Sequence, residues 1–335
     1  MNMKKLFLAI SVGLLCFSAC ATTSLVTDQN YFSILMRELD QAKTNIDILS
    51  FSFAIDDGNG KIDIHNQAYL VAQKLADIKK SKKDAIQIRL YIEAERDTAS
   101  RNSITAYFLE KAGVIVKHGS THAKGFSIDH RKILFGSTNL TNQSMTKNNE
   151  TNILTDDSQI VKGFDQFYSN LWSEGKESSI QLLPPMLADG AYKTSIINAI
   201  HSAKKSIEFS IYYFNDADIE NALIDAFTKR RIKIRGYVNQ SKTFALELVA
   251  KNRETVKRLR ASGMTDIHFD LDNMLTHSKY IIRDQEEILL GTGNWNYSDA
   301  FNYRQLYVDL KDIQLAHELS VHLDEQIKTK SDPTK

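Results

Sequence analysis

The chain has 335 residues, 42% of them hydrophobic and 25% charged, with only 3 prolines. That composition excludes a disordered or collagen-like chain, and the length suits two domains of roughly 150 residues. Lys and Arg number 42 against 41 Asp and Glu, a formal net charge of +1, so no global basic field marks a protein that grips nucleic acid by charge alone.

Residues 1–20 read as an export signal. Lys4 and Lys5 precede an apolar run from Leu6 to Phe17, which is too short to span a bilayer, and Ser18, Ala19 and Cys20 are small residues of the kind found at cleavage sites. The segment Phe17-Ser18-Ala19-Cys20 resembles the lipobox of bacterial lipoproteins, in which the cysteine is lipidated and becomes the new N-terminus. Cleavage after Ala19-Cys20-Ala21, releasing a soluble protein from Thr22, is the competing reading. Either way the protein is expected to be exported, as a periplasm-facing lipoprotein of the bacterial envelope or as a secreted protein. Cys16 and Cys20 are the only cysteines, so the part that folds has neither a disulfide nor a thiolate metal site.

Past the leader an amphipathic helix (Phe32 to Ala42) and an apolar strand (Ile46 to Ala54) come first. A polar stretch with two glycines follows (Asp56 to Lys61), then a helix (Ala68 to Ile78), a strand (Ile86 to Ile92) and a third helix (Ile104 to Ala112). Gly175, Ser178, Ser179 and Pro184-Pro185 break the periodicity between Glu174 and Pro185. The same order then recurs: helix Ala191 to Ala203, strand Ile207 to Phe214, helix Ile219 to Thr228, strand Ile232 to Val238, helix Glu254 to Ala261. Residues 21–176 and 177–335 are thus expected to be two copies of one unit. Strands alternating with helices imply parallel pairing in an α/β sandwich.

A repeated motif closes each copy. Thr121-His122-Ala123-Lys124, Asp129, Gly136-Ser137 and Asn139 recur as Thr276-His277-Ser278-Lys279, Asp284, Gly291-Thr292 and Asn294, each pair 155 positions apart (122 to 277, 139 to 294). Ala42-Lys43 and Ala203-Lys204 lie 161 apart, so the first copy carries an insertion, which Asp56 to Lys61 supplies. His and Lys two apart on a strand share a face. Together they make a site for an anionic, phosphoryl group: a cation for its oxygens and an imidazole that attacks or shuttles a proton. Gly136 and Gly291 permit close approach of backbone or substrate, while Ser137, Asn139, Thr292 and Asn294 add neutral partners for phosphate oxygens. A lone His-x-Lys means little; two at one offset within one pattern carry the inference. The basic run Lys229 to Arg235 and the aromatics Trp295, Tyr297, Phe301 and Tyr303 are further surfaces from which a substrate groove could be built.

The duplicated pattern H-x-K-x4-D-x6-G-[ST]-x-N resembles the signature of the phospholipase D superfamily, over essentially all of the chain after the leader. The resemblance implies two tandem α/β sandwich repeats about a pseudo-two-fold axis, an internal pseudo-dimer in a monomeric chain. Both motifs would meet in one site, with no metal or other cofactor. It further implies that one histidine forms a phosphohistidine while the other protonates the leaving alcohol and then activates water. Lys124, Lys279, Asn139 and Asn294 would bind the non-bridging oxygens, with Ser137 and Thr292 supporting them as part of the phosphate site. Asp129, Asp284, Gly136 and Gly291 belong to the motif as structural residues. The family's acidic residue eleven positions after the Asn is Glu150 in the first half and Gln305 in the second. Glu150 on the first-half imidazole therefore makes His122 the nucleophile and leaves His277 as the general acid.

The superfamily acts on phospholipids and on nucleic acids. Leu140 to Ser144 lacks the Asp and Arg-Ser of bacterial cardiolipin synthases, and Gly136 to Glu150 is more similar to small bacterial endonucleases and mitochondrial cardiolipin hydrolases. Near-neutral charge, an exported location and the aromatic cluster favour a phospholipid substrate, cleaved to phosphatidic acid, with membrane attachment through lipidated Cys20. The alternatives are an exported endonuclease for DNA or RNA and a catalytically inactive, envelope-anchored binding protein.

Overall fold

The computed structural model describes residues 21–175, 180–241, 245–271 and 273–330. The expected leader and the expected lipidation site at Cys20 lie outside them.

The first half runs β1 (Thr23–Thr27), α1 (Asn30–Gln41), β2 (Asn45–Ser50), α2 (Gln67–Lys82), β3 (Gln87–Glu93), α3 (Ala99–Lys111), β4 (Ile115–Gly119), β5 (Gly125–Ile128), β6 (Lys132–Gly136), α4 (Asn142–Thr146), β7 (Thr151–Thr155) and α5 (Ser158–Glu174). The second runs β8 (Met186–Ala188), α6 (Ala191–Ser202), β9 (Ser206–Ile211), β10 (Phe214–Asn215), α7 (Ala217–Arg230), β11 (Lys233–Val238), α8 (Leu246–Ala261), β12 (Ile267–Phe269), β13 (Lys279–Arg283), β14 (Glu287–Gly291), β15 (Trp295–Asn296), α9 (Tyr297–Phe301), β16 (Leu306–Lys311) and α10 (Ile313–Lys330). Asn66, Asp157 and Asp216 cap α2, α5 and α7 by accepting backbone N–H groups of the first turn.

Each half contributes a seven-stranded sheet, ordered β1-β7-β6-β5-β2-β3-β4 and β8-β16-β14-β13-β9-β11-β12. The two orders correspond strand for strand, which makes the chain a tandem pseudo-symmetric pair. Within these two sheets the expected parallel pairing joins β2-β3-β4 and β9-β11-β12. The other four strands of each sheet pair antiparallel. The reason is local: β5 and β6 are joined through Asp129 and His130, and β13 and β14 through Asp284 and Gln285, all four at positive φ between 51° and 58°. Such tight turns return the chain antiparallel, whereas a parallel partner needs a long crossover.

Alternation along β2 sends Ile46 and Ile48 into a core beneath α1, α2 and α3, and Leu49 to the opposite face. An equivalent core lies under α6, α7 and α8. The third core joins the halves: Leu49, Ile133 and Phe135 of one sheet and Tyr280, Ile288 and Leu290 of the other pack with α5 and α10. The insertion folds on itself through Asp56 paired with Ile62, with Gly58 and Gly60 at φ of 93° and 83°.

Candidate active site

His122 and Lys124 lie between β4 and β5, while His277 lies in the loop between β12 and β13 and Lys279 opens β13. Each histidine is held by the opposite half. The N–H of His122 donates to the carbonyl of Arg304 (2.9 Å) and that of His277 to the carbonyl of Asn149 (2.8 Å). The Asn149 side-chain amide donates to Thr276 Oγ1 (3.1 Å), and the Thr151 and Ser278 hydroxyls meet at 2.8 Å. These contacts bring both motifs to the junction between the sheets. One residue before each histidine, the Thr121 N–H donates to Glu93 and the Thr276 N–H to Asp270. Those two carboxylates come from non-equivalent strands, so the repeat pattern gave no signal for them.

The imidazole partners are exchanged between halves. His277 Nδ1 bonds Glu150 Oε2 at 2.9 Å, and His122 Nδ1 bonds Gln305 Oε1 at 3.0 Å. Glu150 therefore does not serve His122, and the argument that made His122 the nucleophile loses its ground. The cause is the same crossing: Asn149 and Arg304 bond the other half's histidine through their carbonyls, and the next side chain in each segment reaches that ring. Engagement of Nδ1 leaves Nε2 of each ring for chemistry.

Ser137 and Thr292 are likewise corrected. Ser137 Oγ donates to Glu150 (2.6 Å) and accepts from the Thr151 N–H, while Thr292 Oγ1 donates to Gln305 (2.7 Å) and accepts from the Leu306 N–H. Their hydroxyls are committed to the residues behind the imidazoles, not to a phosphate. Asn139 and Asn294 both keep a buried side-chain carbonyl oxygen without a partner. Asp129 and Asp284 face away from the histidines and accept the N–H groups of residues 43–45 and 204–206, clamping the start of β2 and β9. A Cβ on Gly136 would lie 2.4 Å from the Thr151 carbonyl oxygen, and one on Gly291 2.3 Å from that of Leu306. These glycines admit a neighbouring strand rather than a substrate.

Two aromatic residues that the motif search missed cover the rings. Phe51 meets His122 edge-on at 4.5 Å and Tyr212 meets His277 at 5.0 Å, with Lys124 and Lys279 lying 5.0 and 5.2 Å from the same aromatic centres. Phe51 and Tyr212 stand 161 apart, the offset of the upstream repeat, which was the available signal. Tyr303 lies 5.9 Å from His122 beneath the Arg96 guanidinium. Trp295 is core, packed on Phe209 and Phe214, while Tyr297 and Phe301 are exposed. The basic run is largely structural: Arg230 caps carbonyls at the end of α6, Arg235 pairs with Glu208 and Asp324, and Lys229 pairs with Asp225.

His122 is 8% exposed, His277 7%, Lys124 3% and Lys279 1%. Burial pushes all four downward. His122 falls well below the ordinary histidine value, through desolvation first and then Lys124 and Lys279. His277 falls too, but the Glu150 carboxylate opposes the shift. Lys124 drops well below the usual lysine range, and Lys279 drops to about 7 although Glu150 and Asp299 pull it back up. Burial raises Glu150, but the charge and hydrogen bond of His277, together with Lys279, outweigh it and hold the carboxyl at about 2. Four buried groups that desolvation moves toward their neutral forms thus meet at one junction.

The family description "Cardiolipin synthase, PLD-like domain" matches residues 35–172 and again 196–327, once per half. The chain belongs to the phospholipase D superfamily. In this chain the two His-x-Lys motifs face one junction, and each imidazole is backed at Nδ1 by a residue of the other half. The chain is similar to the mitochondrial cardiolipin hydrolases of Homo sapiens (23% identical over 167 residues, 49% of this chain and 59% of that protein) and Danio rerio (27% over 159 residues, 46% and 62%). It thus spans about three fifths of the length of these relatives. The crystal structure of phosphatidylserine synthase from Haemophilus influenzae superposes with a TM-score of 0.72 at 13% identity, covering 92% of this chain and 87% of that one, and so shares its fold. Among the described residues no helix is long and apolar enough to cross a membrane.

Proposed function

We propose that this enzyme is an exported phospholipase D that hydrolyses phospholipid headgroup esters, with His277 as nucleophile and His122 as general acid. The observation that carries the assignment is the buried Glu150 carboxylate on His277 Nδ1. Attack makes His277 a phosphoimidazolium, and a carboxylate on its N–H stabilises that charge as an amide oxygen cannot.

In the first step His277 Nε2 bonds to phosphorus while the phosphorus–alcohol bond breaks, and the departing oxygen takes the proton from His122 Nε2. In the second, a water oxygen bonds to phosphorus as the His277–phosphorus bond breaks, and His122 Nε2 accepts the water proton. Lys124 and Lys279 bind the non-bridging oxygens with Asn139 and Asn294, so charge building in the transition state meets cations already desolvated. A bound phosphodiester anion also raises His122, charging it for its acid role.

Three features support a lipid substrate: the relatives named as cardiolipin hydrolases, the near-neutral charge, and a leader of lipoprotein type that would hold the enzyme beside lipid at high effective concentration. The test is incubation of the chain from Thr22 onward, in EDTA, with phosphatidylethanolamine or cardiolipin vesicles plus ethanol, and in parallel with DNA. Phosphatidic acid and phosphatidylethanol are expected, and His122→Ala should accumulate phosphate on His277 from a substrate with a good leaving group. Phosphate on His122 instead would overturn the roles, and DNA cleavage with silent lipids would overturn the substrate.

A further inference from the structure

The two halves do not back their partner imidazoles in the same way. At the 155 offset, Glu150 corresponds to Gln305 and Ser144 to Asp299, so the first half has Ser and Glu where the second has Asp and Gln. The carboxylate has not been lost from the second half; it stands six residues earlier in the sequence. Asp299, in α9, returns to the same place in space. Its Oδ2 accepts from Gln305 Nε2 (3.1 Å), from the Asn294 N–H (2.8 Å) and from Asn294 Nδ2 (3.1 Å), and lies 3.7 Å from His122 Nδ1. Its Oδ1 accepts from Asn296 Nδ2 at 2.9 Å.

We infer that Asp299 is the positioning residue for His122, acting through Gln305, and that it fixes the tautomer in which His122 works. The inference rests on the reading of His122 as a proton carrier in the phosphodiesterase site. An amide can present either end to a ring nitrogen, and the two choices impose opposite tautomers. Asp299 Oδ2 already accepts the Asn294 N–H, so it presents an acceptor that draws the Gln305 NH2 group to itself and turns the Gln305 carbonyl toward His122. The Thr292 hydroxyl donates to that same carbonyl oxygen and reinforces the choice. His122 must then carry its proton on Nδ1, which leaves Nε2 directed at the phosphoryl group to give and take the catalytic proton. Because Asp299 also holds the side chain and backbone of Asn294, one carboxylate ties a phosphate-binding residue of the second motif to the imidazole of the first.

Asp299 also sits in the first turn of α9, its N–H bonded to the Asn296 side chain, so helix capping is the rival role. The test compares wild type with Asp299→Ser and the double variant Asp299→Ser/Gln305→Glu. The double variant transplants the Ser and Glu of the first half. Imidazole 15N shifts of His122 report its tautomer without turnover, and kcat and KM are measured on bis(4-nitrophenyl) phosphate.

Asp299→Ser should mix the His122 tautomers and lower kcat by about tenfold to a hundredfold. The double variant, which keeps Ser in α9, should restore the Nδ1–H form and most of kcat. An unchanged tautomer in Asp299→Ser, or no rescue in the double variant, would each overturn the assignment. A wild type that cleaves no phosphodiester while showing the Nδ1–H form would sink the functional reading and leave the positioning geometry standing.

Discussion

Lys279 is a buried amine that the fold holds at the expense of stability, and replacing it with Met makes that expense measurable. Burial brings its pKa from 10.5 to about 7. For a base whose folded value lies below its unfolded one, the unfolded chain binds more protons between the two values, so stability rises with pH there. Between pH 8 and 9.5 the folded protein holds nearly one proton fewer at this site, so unfolding free energy gains about 1.4 kcal/mol per pH unit, roughly 2 kcal/mol across the window. The window is chosen to be quiet. Asp270 and Asp309, raised to about 7 mainly by burial, titrate below it, and the buried tyrosines Tyr31 and Tyr280, raised by burial, titrate above it. Lys124 acts with the same sign in both proteins. At pH 8 keeping Lys279 neutral still costs about 3 kcal/mol, so Lys279→Met, which buries a similar stem without an ammonium, should raise the urea midpoint while abolishing turnover. Urea unfolding of both proteins at pH 8 and 9.5 decides it: equal pH slopes, or a variant less stable than wild type at pH 8, would refute the reasoning.

Glu150→Gln should lower kcat by about a hundredfold or more, because the amide cannot neutralise the phosphoimidazolium. The wild-type carboxylate contributes stability above its unfolded value of about 4.5 and loses it as pH falls toward about 2, so the variant should show a shallower loss in acid denaturation between those values. Gly136→Ala drives a Cβ into the Thr151 carbonyl and should destabilise by more than about 2 kcal/mol, read as a lower melting temperature. Asp129→Asn weakens the clamp on three backbone N–H groups at the start of β2. It should cost about 1–3 kcal/mol in urea unfolding with kcat per folded molecule unchanged.

The sequence by itself determined the duplication, the α/β elements of each unit and the residues at the centre of the site. Those follow from local rules: periodicity shows which faces are buried, and a motif repeated at one offset marks chemistry without any fold in hand. It also held signals that one motif alone does not reveal, such as Phe51 and Tyr212 at the upstream offset. Tertiary structure decided everything that depends on which half faces which. The swap of Glu150 to His277 and Gln305 to His122 arises because the segments entering β7 and β16 cross the junction, a contact between residues 127 and 183 positions apart. Ser137 and Thr292 bond residues 13 positions on within their own half, and Asp299 meets Gln305 six positions on, so these contacts depend on the local path of the chain rather than on the crossing. A side chain's role in this protein is set by the atoms a few ångströms away, and for the two imidazoles at the pseudo-two-fold junction those atoms belong to the other copy.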